Sequence, residues 1–174
     1  GTLKNRDQGG IILQLAGNQN HIDLTLDRNY NPLNFGIQVN QMTVQGNREG
    51  ESLNIGVAQV PLPWLKTVAQ KTLETVPKQL LSQPLNGNLS GDFTLYLNPF
   101  KIIGHQVAIA NPQLGTIRGD RFTGQLRYSQ GNVVISDGEL TLRKSRYLIS
   151  SRLTQTPSGI NLQANLGIQQ GRIQ

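Results

Sequence analysis

The side chains that could do chemistry in this sequence are few and widely spread. His21 and Asp23 stand at i, i+2, the spacing that puts two side chains on one face of a strand, as a metal or acid–base pair requires. No third ligand accompanies them, so a solvated strand face accounts for the pair better. His105 in "GHQVAI" is a lone polar-face residue and takes the same reading. Asp120, Asp137 and Glu139 are the carboxylates near turn signals, and Asp137-Gly138 is a dipeptide that hairpin turns use. A hydrolytic carboxylate pair would need a pocket to hold it, and nothing in the sequence places one. There is no glycine-rich phosphate loop, nucleophile elbow or zinc spacing. The chain has no cysteine, which excludes disulfides, thiolate metal sites and thiol nucleophiles. The expectation is therefore a protein that is not an enzyme, with no catalytic residue, no metal and no cofactor.

Charge offers a second kind of chemistry. The net charge is +6 and the isoelectric point near 10.0. Arg118, Arg121, Arg127, Arg143, Lys144, Arg146 and Arg152 form a basic set with Tyr128 and Tyr147 between them. Phosphate contacts with base stacking would suit a nucleic acid. The alternation argues against it: Tyr128 falls on the apolar side of its strand and Arg127 on the other, so no single platform forms. A solvated outer face is expected, with lipid headgroups or an anionic glycan as the next reading and no nucleic acid.

Composition points to the scaffold. Of 174 residues, 36% are hydrophobic, 5% aromatic and 15% charged, so the chain is too poor in charge for a disordered segment and unusually rich in neutral polar residues. That balance suits an extracytoplasmic sheet protein. No apolar run is long enough to span a bilayer as a helix. The chain starts at Gly1 without Met and stops within the strand-like "NLQANLGIQQGRIQ"; an excised piece of a longer protein is expected.

Period-two alternation dominates. Ile22, Leu24 and Leu26 face one way against Asp23, Thr25 and Asp27; Phe35, Ile37 and Val39 repeat the pattern, and Leu53, Ile55 and Val57 follow. Leu89, Phe93, Leu95 and Leu97 come next, then Val107 and Ile109, then Phe122, Leu126 and Tyr128. Val133 and Ile135 lead to a turn on Asp137-Gly138, after which Leu140 and Leu142 resume; Ile149, Ser151 and Leu153 share a face beyond the basic step. Ile160, Leu162, Ala164, Leu166 and Ile168 close the series. Further turn signals are Asn29-Tyr30-Asn31-Pro32, Gly46-Asn47, Gly87-Asn88, Asn111-Pro112, Gln130-Gly131 and Pro157-Ser158-Gly159. These imply about ten or eleven short antiparallel strands.

One segment, 61–83, breaks the rhythm and divides the strands into sections 1–60 and 84–174 of one continuous piece. Leu65, Val68, Ala69, Leu73, Val76 and Leu80 follow helical spacing, with Trp64 at the entrance, Pro63 suited to a helix start and Pro77 to a kink. This amphipathic helix is expected to plug part of the apolar sheet face. It is too small to cover all of it. Ten large aliphatics each forgoing ~1 kcal/mol of burial would forfeit about the whole stability of a domain, ~5–15 kcal/mol. A sandwich or barrel would bury the alternating face against itself; a half-covered sheet must curl on itself, take a lid, or hold an apolar ligand.

The stretch from about Pro84 to Leu153 resembles the repeating pattern of the TamB and AsmA-like family. The matching elements are "GNLSG", the Asn98-Pro99 turn, "GQLRY", "VISDGELTL" and "SRYLISS" in that order; "VPLPWL" leading into an amphipathic helix is similar to the cyanobacterial and chloroplast members. The resemblance implies a mostly β chain with a curved antiparallel sheet folded into a U-shaped open groove, the β-taco. It also implies an inner-membrane anchor (chloroplast envelope in plastids), a periplasmic course and a part in outer-membrane biogenesis. Phospholipid acyl chains or nascent outer-membrane β-strands would occupy the groove, with an Omp85-type barrel as the outer-membrane partner. The family supplies no catalytic residues. The inward side of each alternating strand, as set out above, would line the groove. A closed β-sandwich for binding or adhesion is the alternative, and exposed strand edges would let the fragment dimerise.

Overall fold

The computed structural model describes residues 1–6, 9–72 and 82–170. Its strands run in chain order: β1 (Thr2–Asn5), β2 (Ile11–Ala16), β3 (Asn20–Leu26), β4 (Pro32–Val39), β5 (Met42–Glu49) and β6 (Ser52–Pro61). The helix α1 (Leu62–Thr72) follows, then β7 (Leu85–Leu97), β8 (Phe100–Leu114), β9 (Ile117–Arg118), β10 (Arg121–Ser129), β11 (Asn132–Leu142), β12 (Ser145–Thr156) and β13 (Gly159–Gln170). All thirteen form one antiparallel meander in which each strand pairs with its neighbours in sequence, the two-residue β9 hanging off β8. β6 pairs directly with β7, so α1 is an insertion between adjacent strands and the sheet runs unbroken past it. The sheet is open and not strongly curled, so the expected U-shaped groove is not formed by the sheet alone: among the described residues β1 and β13 each have a single ladder partner.

The strand count exceeds the ten or eleven expected because β1 and β9 carry too few residues to establish alternation and β2 opens on three apolar residues in a row, Ile11, Ile12 and Leu13. Four of the expected turns also lie elsewhere. Asp137-Gly138, Asn111-Pro112, Gly87-Asn88 and Gly46-Asn47 all sit inside strands β11, β8, β7 and β5. The first three mark β-bulges. Asp137 takes φ 50° and Asn111 φ 50°, with a ladder shift beside each; Gln59 does the same in β6 at φ 55°. A residue in the left-handed region absorbs one extra position without breaking the ladder, and Asp and Asn tolerate that region better than most. By contrast, Asn98-Pro99 and Gln130-Gly131 do form hairpin turns.

A closed sandwich core is not what the sheet builds. Among the described residues only Leu53, Val60 and Val107 are buried hydrophobics, and no polar side chain is buried. Leu97, Leu162, Leu166 and Ile168 are all more than half exposed. A dry interior between two packed sheets would bury one whole side chain set.

α1 begins as the sequence implies, with Pro63 in its first turn and Thr67 Oγ1 donating back to the Pro63 carbonyl at 3.0 Å. Lys66 Nζ reaches the Gln83 carbonyl at 3.1 Å. The sheltered stripe is Leu62, Leu65, Lys66 and Ala69, packed beside β6 and β7. Trp64 and Val68 are about two-fifths exposed, at 41% and 40%. The rest of the expected plug, Leu73, Val76 and Leu80, and the expected kink at Pro77, lie outside the described residues. Among those residues no helix is long and apolar enough to cross a membrane.

Candidate functional site

Directly opposed residues of an antiparallel ladder share a face, so the registers can be followed across the sheet. One transverse row runs Leu3, Leu13, Leu24, Phe35, Gly46, Ile55, Phe93, Gly104, Leu126, Ile135, Ser151, Ala164. A second runs Leu53, Leu95, Ile102, Tyr128, Val133, Leu153, Leu162, and a third Val60, Leu89, Ile109, Phe122, Leu140, Tyr147, Ile168. Ile22, Ile37, Val44, Val57, Gly91, Val107 and Gly124 form a fourth. With Leu26, Val39, Leu97, Leu142, Ile160 and Leu166 placed on the same side by alternation, every residue assigned to the apolar side from the sequence lies on one face. The twelve strands of the main path give this ribbon a width of roughly 53 Å at ~4.8 Å per spacing.

Glycines shape the ribbon. The Phe35 ring lies where a Cβ on Gly46 would stand, directly across the ladder, and the Phe93 ring lies over Gly104 in the same way. The Phe122 ring approaches Gly124 along its own strand. Each ring thus lies down on the sheet and fills the hole its glycine leaves, keeping the apolar surface level at these positions. Phe100 and Tyr128 meet edge-on with centroids 5.8 Å apart, on the same face.

Near α1 the face opens into a cleft of about 1130 Å³ whose apolar lining is Ile22, Ile37, Val39, Met42, Pro61 and Trp64. The single tryptophan therefore overlooks the apolar ribbon from the helix entrance. Met42, Val44, Phe100, Ile102 and Tyr147 belong to the face but were not assigned to it from the sequence. Ile102 was hidden by the bulge near His105, which sets Ile102 and Val107 an odd distance apart while both stay on one side.

The candidate reactive groups have structural partners. His21 Nε2 pairs with Asp23 Oδ2 at 2.5 Å, and Gln14 Nε2 donates to Asp23 Oδ1 at 3.2 Å. His105 Nε2 meets Thr94 Oγ1 at 2.8 Å. Asp120 Oδ2 accepts the Arg143 amide at 2.5 Å and so fixes the β11–β12 turn, where Arg143 has φ 56°. Glu139 accepts a two-pronged contact from Arg146, at 3.0 and 2.5 Å. The guanidinium's hydrogen bond and charge hold the Glu139 carboxyl below its ordinary range and raise Arg146 in turn. Among the described residues no three metal-ligating side chains cluster. Arg121, Arg127, Arg146 and Arg152 fall on the face opposite Tyr128 and Tyr147. Comparison with family models, curated proteins and solved structures finds no match to this chain.

Proposed function

We propose that the chain is a section of a non-enzymatic, periplasm-spanning groove protein in outer-membrane biogenesis. Its apolar face carries phospholipid acyl chains, or unfolded outer-membrane strands, between the two envelope membranes. The resemblance to the TamB and AsmA-like family supplies the setting: an inner-membrane (or chloroplast-envelope) anchor and an Omp85-type barrel as the far partner. The observation that carries the reading is the broad apolar ribbon, broken by Arg48 opposite Leu53 and by Ser151 in the longest row, with only three buried hydrophobics among the described residues to show for it. A surface of that size left to water is costly, and apolar patches much beyond a few hundred Å² mark binding surfaces. The sheet itself is open and not strongly curled, and in this reading it presents the ribbon as a broad, shallow groove. The bulges at Gln59, Asn111 and Asp137 are the places where strands can bend and re-aim. An acyl chain suits such a surface because it asks for no hydrogen bonds and tolerates sliding.

Native mass spectrometry of the gently purified chain tests it. Bound phospholipid is expected on the wild type and lost from Leu126→Arg, which places a cation within the longest row. A chain that carries no lipid and takes up none from vesicles would end the lipid form of the proposal.

A further inference from the structure

The opposite face holds a feature that the apolar ribbon does not use. Across β3 to β7 the ladder places Asp23, Gly36, Gln45, Gly56 and Asp92 in one row. The next row is Thr25, Asn34, Asn47, Asn54 and Thr94. Together they line a hollow of about 670 Å³. Four strand spacings of ~4.8 Å separate the rims, so it is about 19 Å long.

The glycines are the informative residues. A glycine inside a strand costs stability through chain entropy and lost packing, so it needs a reason. Gly91 has one, with φ +154° against the Gln106 carbonyl, and Gly46 and Gly104 have theirs beneath phenylalanine rings. Gly36 and Gly56 have neither reason. A Cβ at Gly36 would meet nothing within 4 Å, and one at Gly56 only Asp92 Oδ1 at an ordinary 3.6 Å. Neither has a positive φ. What these two glycines preserve is the empty space above them.

We propose that this trough binds a neutral glycan chain. The polar half of its walls is amides, hydroxyls, carboxylates and the His105 imidazole, groups that pair with successive sugar hydroxyls as both donors and acceptors. Two carboxylates and no Lys or Arg line it, so phosphates and acidic polymers are repelled. The rims are held in place before any ligand arrives: Asp23 by His21 and Gln14, and Thr94 by His105 and Asn54. Such fixing lowers the ordering cost of binding. The site lies on the face away from the apolar ribbon and does not depend on that ribbon's occupant.

The test is an amide-detected NMR titration with cellohexaose, chitohexaose and maltohexaose, on the wild type and on the Gly36→Leu/Gly56→Leu pair. At least one glycan should shift β3–β7 amides saturably. The double variant should fold, melt no lower than wild type, and bind at least about tenfold more weakly because the floor is filled. Asp92→Ala should weaken the same glycan without altering the fold. Absence of saturable shifts with all three glycans, equal binding by the double variant, or its failure to fold would each overturn the proposal. Saturation of the same amides by an extended neutral peptide, with no response to the glycans, would overturn the ligand class.

Discussion

Ile135 and Leu140 stand on the same face of β11, although their odd separation would put them on opposite faces of a regular strand. Asp137, at φ 50°, takes up the extra position between them. Asp137→Gly should therefore be neutral or mildly stabilising, since glycine enters the left-handed region freely. Asp137→Val should cost about 1–2 kcal/mol for a branched side chain there. Deleting Asp137 should cost at least about 3 kcal/mol, because one half of the strand must then turn its apolar residues to the wrong side. Urea denaturation of the three variants checks the order.

The same bulge shows what a sequence displays and what it conceals. Alternation is a property of a single strand, so the face of each apolar residue could be read directly from runs such as Phe35, Ile37 and Val39. A bulge and a turn use the same residues, Asp-Gly or Asn-Pro, for the same left-handed geometry. Only the partner strand decides between them: Phe122 and Leu126 on β10 span Leu140 and Ile135 and hold the strand straight. The polar trough was invisible for a related reason. Gly36 and Gly56 are far apart in sequence and become a floor only through the registers of β4, β5 and β6. Phe35 and Phe93 likewise gave no sign of the glycines beneath them.

Among the described residues the outer edge of β13 has no ladder partner, and it should drive self-association. β13 pairs with β12 over its whole length without a register shift, and it contains no Lys, Arg, Asp, Glu or Pro. Leu162, Leu166 and Ile168 are 62%, 65% and 63% exposed. The usual protections of an edge strand are missing. Light scattering should find dimers at high concentration, and Leu166→Lys should shift them to monomers by putting a charge on the inward side. A monomeric wild type would show that the edge is protected by some other means.

Acid should weaken the fold at two places. Hydrogen bonds from the Asn31 and Asn29 amides, with Arg48 nearby, hold the Asp27 carboxyl below its ordinary 3.8; Arg146 holds Glu139 below 4.5. A carboxyl with a lowered folded pKa stabilises above its ordinary value, and that stability is lost as pH falls through the folded pKa. Asp27→Asn should thus be less stable than wild type at about pH 7, with the gap closing by about pH 2. An unchanged gap at both ends would mean the carboxylate charge contributes nothing.

Arginine in the apolar rows should separate binding from folding. Leu95→Arg, Ile109→Arg and Leu126→Arg should each abolish lipid retention while costing about 1–2 kcal/mol, because an open face lets the long cation reach water. Circular dichroism should show all three folded. Unfolding of all three would mean that the face is closed in solution.

Trp64 offers the most direct view of the apolar face, because it is the chain's only tryptophan and borders the cleft beside Ile22, Ile37, Val39 and Met42. Its fluorescence should shift to the blue and be quenched saturably by phospholipid carrying brominated acyl chains, while the same lipid without bromine gives the shift alone. For the polypeptide form of cargo, an unfolded strand of alternating apolar residues should give the shift and compete with the lipid. Fluorescence that answers neither the brominated lipid nor the strand would contradict the claim that this face holds an apolar chain.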